Sequence, residues 1–115
     1  MSFTEFELKR YGKLVKEFIQ SRRPPLEIRN EVDLGFRVAD RSVEIFEIRP
    51  KWDNAKEKLE AAIAKATYVK KTNVWKIYWK RADLKWHQYD PHPEADTLEE
   101  FLSIIDEDEY CCFWG

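Results

Sequence analysis

The chain has 115 residues, of which 43% are apolar, 15% aromatic and 37% charged, and a formal net charge of -2. That length suits one core, given typical domains of ~100–150 residues, and the composition excludes disorder driven by low hydrophobicity. No run approaches the ~20 apolar residues of a membrane span, and the only glycines, Gly12, Gly35 and Gly115, leave no loop that could cradle a phosphate, excluding P-loop and dinucleotide-binding chemistry.

The first element is a helix over 4–21. Thr4 and Glu7 have capping-box spacing, and Leu8, Tyr11, Leu14, Val15, Phe18 and Ile19 recur at helical intervals behind them. Pro24 and Pro25 stop it. Strict alternation of Val32, Leu34, Phe36 and Val38 predicts a strand over about 31–38. Asp40-Arg41-Ser42 is a turn, and 43–49 returns as a second strand with apolar residues on both faces, which places it inside the sheet. From Trp52 to Ala62 the signals conflict: Asp53 has the chemistry to cap a short helix from Asn54 to about Glu60, rich in good helix formers. Thr67, Tyr68 and Val69 then argue for a strand over 64–71, and Thr72-Asn73 for a tight turn.

The clearest hairpin comprises strands at 74–80 and 84–89. Trp75, Ile77 and Trp79 alternate with Lys76, Tyr78 and Lys80, and the indole side is read as the core side. Pro91, His92 and Pro93 read as an extended linker. Thr97 and Glu100 repeat the capping box ahead of a helix over 98–107, and an apolar tail occupies 110–115. The expected architecture is a single α+β domain: an N-terminal helix, an antiparallel sheet of about five strands and a short C-terminal helix. Its expected core includes Phe36, Ile45, Ile48, Trp75, Ile77, Trp79, Trp86, Leu98, Phe101 and Leu102.

The strings VEIFEIRPKWD (43–53), AKATYVK (64–70), WKIYWKRADLKWHQYDPHP (75–93) and LEEFLSIIDEDEYCCFWG (98–115) resemble a bacterial family catalogued as domain of unknown function 3024. The resemblance implies a small bacterial protein and brings no catalytic roles, cofactor or partner with it.

Charge along the chain is uneven. Residues 65–87 carry seven Lys/Arg against one Asp/Glu, whereas 88–115 carry nine Asp/Glu and no Lys or Arg. The plain reading is that the acidic end folds back over the basic strands. With the indoles inward, Lys76, Tyr78 and Lys80, joined by Lys85, His87 and Tyr89 of the partner strand, form a basic, aromatic outer face. Lysines are ordinary on a solvated sheet, but such a face is also how sheets bind single-stranded nucleic acid. Asp33, Glu47 and Arg49 on neighbouring strands faintly suggest a metal-dependent nuclease, although an ion pair explains them as well.

His87, Asp90, His92 and Asp96 have no established metal spacing, and the adjacent Cys111 and Cys112 are poorly placed to join them or to bridge each other, which fits a reducing compartment. The start MSFTEFELKR lacks the pattern of a signal peptide, so a cytoplasmic location is expected. The apolar tail, with Phe113 and Trp114, is expected to pack on the domain or to enter a partner, making the chain an interaction module or a homodimer. Taken together, the sequence reads as a small binding or interaction protein, without metal or cofactor and not inserted in a membrane. The alternative is a nucleic-acid-binding or nucleic-acid-processing protein using the basic sheet face, with an enzyme a more distant reading.

Overall fold

A computed structural model describes residues 3–28, 32–51, 53–54, 56–81, 83–110 and 112–114. Helix α1 spans Glu5–Arg22 and starts as the capping box requires: Thr4 Oγ1 accepts from the Glu7 N–H at 3.2 Å, and Glu7 Oε1 accepts from the Thr4 N–H at 2.9 Å. A single 3-10 turn, Leu26–Ile28, follows the prolines. The sheet consists of β1 (Asp33–Ala39), β2 (Ser42–Pro50), β3 (Lys58–Val69), β4 (Val74–Lys80), β5 (Trp86–Gln88) and β6 (Glu94–Ala95), and helix α2 is Leu98–Glu107. Every pairing is antiparallel. The order is β1-β2-β3-β4-β5, with β6 pairing the early part of β4. The α+β architecture is the expected one, and β2 lies inside the sheet.

Three local expectations are corrected. The short helix from Asn54 to Glu60 is absent among the described residues; β3 reaches back to Lys58, making it a 12-residue strand. Helix propensity is worth only tenths of a kcal/mol per residue, whereas pairing Arg49 with Leu59 and Pro50 with Lys58 extends the β2–β3 ladder. The loop between them closes through the Lys51 N–H to the Glu57 carbonyl at 3.0 Å and the Lys51–Glu57 ion pair at 2.9 Å. The third strand ends at Val69 rather than Lys71, because the turn spans residues 70–73: the Asn73 N–H reaches back to the Val69 carbonyl at 2.8 Å, with Asn73 at φ 56°. The supposed linker at Pro91–Pro93 leads directly into β6, and the Pro93 carbonyl accepts from the Ile77 N–H at 3.0 Å.

Both helices cover the same face of the sheet. Val15 and Ile19 of α1 and Leu98, Phe101, Leu102 and Ile105 of α2 join one buried cluster with Val43, Ile45, Ala64, Ala66, Trp75 and Ile77. A bulge sets the register that makes this possible: Ile45 pairs with Ala64 but Phe46 pairs with Ala62, so Ile63 is the extra residue and is itself buried. Of the expected core, Phe36 and Trp79 are only partly buried against the cluster, and Ile48 and Trp86 lie outside it. The strand partners explain this, since Ile48 pairs with Asp33 and Trp86 with Lys80 on the side away from the helices. Phe46, on that same side, is nevertheless 5% exposed. Its ring sits under the Arg37 guanidinium at 5.2 Å and over Gly35, where a Cβ would come within 2.6 Å of it. Among the described residues no helix is long and apolar enough to cross a membrane.

Candidate functional site

Because α1 and α2 share one face, the opposite face carries neither α-helix among the described residues. The pairings trace its residues across the strands. Arg37, Glu44, Lys65, Tyr78 and Gln88 form one row; Thr67, Lys76 and Glu94 form a second; Lys80 and Trp86 form a third. Lysines and rings interleave here. The Lys65 ammonium lies 5.2 Å from the Tyr78 ring and 4.9 Å from the Trp86 ring, and the Lys80 ammonium lies 5.3 Å from Trp86. Each ring therefore holds an ammonium by its π face, and the chain presents a fixed aromatic and cationic patch where β3, β4 and β5 meet.

Lys76, Tyr78 and Lys80 occupy the outer face as the alternation of β4 predicts. The β5 half of the expected surface is corrected. Asp83 Oδ1 accepts from the Lys85 N–H at 2.9 Å and Leu84 takes a left-handed φ of 62°, so the turn runs further than expected and the strand starts only at Trp86. The Lys80–Trp86 pair then turns Trp86 outward and His87 towards Trp79 on the helix side. His87 Nε2 meets Asp83 Oδ2 at 2.8 Å. The Asp83 carboxyl is held below its ordinary value, first by the Lys85 N–H and then by His87. Lys85 is exposed ahead of the strand, and Leu84 beside it is 77% exposed. Tyr89 belongs to the core, 1% exposed and 4.7 Å from the Phe113 ring. Burial raises its phenol pKa above the ordinary value, with Cys112, Asp108 and Glu109 adding to the effect. Alternation alone gave no means of finding Trp86 or of choosing Lys65; their signal is the register across strands.

The acidic trio is not one site. Asp33 pairs with Ile48 while Glu47 pairs with Leu34, so Asp33 and Glu47 face opposite sides of the sheet. Asp33 receives two bonds of 2.7 Å from Arg23, and Glu47 meets its own strand neighbour Arg49 at 3.1 Å. Among the described residues no group of three or more His, Cys, Asp or Glu side chains is placed to hold a metal. Asp90 accepts from Gln88, His92 lies beside the Tyr89 ring at 6.3 Å, and Cys111 falls outside the described residues.

The tail is folded onto its own chain. Phe113 is 4% exposed, and the Trp114 indole N–H donates to the Ile105 carbonyl at 2.6 Å while Arg22 stacks on its ring at 4.1 Å. Asp108, left-handed at the end of α2, accepts from the Phe113 and Trp114 N–H groups at 3.0 and 2.8 Å.

The acidic end folds back onto the basic strands as expected: α2 packs on the helix-covered face of β3 and β4, with Glu99, Glu100, Asp106 and Glu107 exposed, while Glu94 lies on the opposite face beside Lys76. A shallow cleft of about 250 Å³ between Phe3, Arg41, Tyr68, Lys70 and Asn73 lies at the end of the sheet; the Tyr68 hydroxyl is bonded to Asn73 at 2.9 Å.

The sequence model of the family described as Domain of unknown function (DUF3024) matches residues 3–115. The chain belongs to the DUF3024 family. The match takes in every strand and both helices, so the helix-free face of this DUF3024 chain lies wholly within the family domain. No curated protein and no solved structure matches it.

Proposed function

We propose that this DUF3024 protein is a binding protein that takes a polyanionic ligand on the helix-free face of its sheet. One observation carries the reading: Lys65 and Lys80 are held at the Tyr78 and Trp86 rings on a face that neither helix covers. Ordering a long lysine normally costs side-chain entropy of ~1.5–2 kcal/mol. Where rings already restrain the ammonium, part of that cost is met before the ligand arrives. The overall pI of about 5.8 averages over the whole chain and does not describe the patch formed by Lys65, Lys76 and Lys80. A surface is steered by its local field, which is screened beyond a Debye length of ~8 Å at physiological salt.

Heparin, a polyanion without bases, tests the face itself. The protein is expected to be retained on immobilised heparin and released by salt, and Lys65→Glu combined with Lys80→Glu to abolish retention. Passage of the unmodified protein straight through at low salt would refute the proposal.

A further inference from the structure

Resting on the reading of the helix-free face as the ligand surface, we infer that the polyanion is single-stranded nucleic acid, its bases stacking on Trp86 and Tyr78 while Lys65, Lys76 and Lys80 meet the phosphates. Heparin and polyphosphate can use the cations but have nothing to lay on an aromatic ring. Two rings embedded among the lysines where β3, β4 and β5 meet are the feature that distinguishes between polyanions.

The placement of the rings points to unpaired bases. Trp86 stands opposite Lys80 and Tyr78 opposite Gln88, so the two rings are diagonal neighbours on adjacent strands, a relation that separates side chains by ~7–8 Å. Bases within a duplex stack at ~3.4 Å and present only their edges. A splayed single strand can give each ring its own base, as sheet-based readers of single strands do.

The lysines now resting on the rings would be displaced, and the magnitudes say which contact wins. A cation over an exposed ring is worth ~2- to 5-fold in an equilibrium constant. A base on the same ring is worth ~5- to 150-fold, and the released ammonium gains a phosphate. The exchange therefore favours the nucleic acid.

Hydrogen-bonding groups beside the rings are already engaged: the Gln88 side chain donates to Asp90 at 3.2 Å, and the Ser42 and Thr67 hydroxyls bond each other at 2.8 Å. The patch accordingly takes bases by their faces, with little preference for sequence. Two acids border it, Glu44 beside Lys65 and Glu94 beside Lys76. Each repels phosphate, so Glu94→Gln is expected to tighten binding.

The test is fluorescence anisotropy with a labelled oligothymidine of about ten nucleotides, the matching duplex, and unlabelled heparin as competitor. The single strand is expected to bind more tightly than the duplex, with a log–log salt slope near -2 for about three phosphate contacts. Trp86→Ala should weaken it ~5- to 150-fold and heparin retention far less, because heparin loses only the restraint that the ring puts on Lys65 and Lys80. Trp86→Leu, which keeps an apolar side chain but removes the π face, should do the same, and Trp86→Phe should restore most of the affinity. Circular dichroism reports whether each variant is folded, and the Leu and Phe variants decide the matter if the alanine variant is not. Equal affinity for duplex and single strand, or oligothymidine binding indifferent to loss of the Trp86 ring, overturns the inference. If heparin is retained and oligothymidine is not bound, this inference falls while the polyanion surface stands. If neither binds, both fall.

Discussion

Replacing Asp108 by glycine and, separately, by alanine separates two forces that act on the same residue. Its carboxylate accepts from the Phe113 and Trp114 amides, and its backbone sits in the left-handed region at φ 43° and ψ 52°. Hydrogen bonds to a charged acceptor contribute ~1.5–3 kcal/mol each. The site is half-buried and the released amides can be hydrated, so the lower figure applies, giving about 3 kcal/mol for the pair. Glycine recovers about 1 kcal/mol of left-handed strain and alanine recovers none. Expected losses are therefore about 2 kcal/mol for Asp108→Gly and about 3 for Asp108→Ala. At ~4 °C per kcal/mol for a domain of this size, Tm falls by about 8 and 12 °C. Thermal unfolding followed by far-UV circular dichroism gives the two values, and near-UV circular dichroism shows whether the Trp114 environment loosens first. A glycine variant as stable as the parent would refute the tethering role of the carboxylate. Identical glycine and alanine variants would refute the contribution of the left-handed backbone.

Gly35→Ala puts a Cβ 2.6 Å from Phe46 Cε2 and 3.2 Å from Ile48 Cδ1, and overpacking of that kind costs ~1–3 kcal/mol in urea unfolding; adding Phe46→Leu should recover part of it. Thr97→Ala removes the oxygen that accepts from the Glu100 N–H at 3.1 Å and is expected to lower stability by ~1 kcal/mol, additively with Thr4→Ala at the far helix. Burial raises the pKa of Tyr89, and likewise of Tyr11, above the ordinary 10.0. Their contribution is complete below that value and is lost as pH rises through the raised folded-state values, because the unfolded chain ionises first. Urea midpoints between about pH 9 and about pH 11 should fall, and less steeply in Tyr89→Phe; an unchanged slope would argue that Tyr89 titrates as a free phenol.

Both helices were legible in the sequence because their signals are local: Thr4 with Glu7, and Thr97 with Glu100, mark starts that depend on residues three apart. Strand β4 was legible for the same reason, with Trp75 and Ile77 buried on one side and Lys76 exposed on the other. What could not be read depends on the partner strand. Ile63 is extra only because Phe46 pairs with Ala62, and no run of apolar residues marks that bulge. Trp86 and Leu84 look like core residues by hydrophobicity, yet the Asp83 turn starts the strand late and the register turns the indole outward. Tyr89 looks like a surface residue if Trp86 points inward, but the register that turns His87 to the helix side turns Tyr89 with it, and its ring meets Phe113. The segment from Asn54 to Glu60 reads as helix because its residues favour helix individually, while β2 offered a ladder that no local pattern reveals. Lys76, Tyr78 and Lys80 were therefore visible in the sequence as one surface, whereas the pairings were needed to choose Lys65 over Lys70 and Lys71 and to turn Trp86 onto it.

A chemical-shift titration of the labelled protein with a short heparin oligosaccharide locates the ligand residue by residue. Binding on the helix-free face shifts the amides of Lys65, Tyr78, Lys80 and Trp86 and leaves the exposed side of α2 silent. Shifts centred on α1, α2 or the Arg41–Lys70 cleft, with those four amides unmoved, would contradict it.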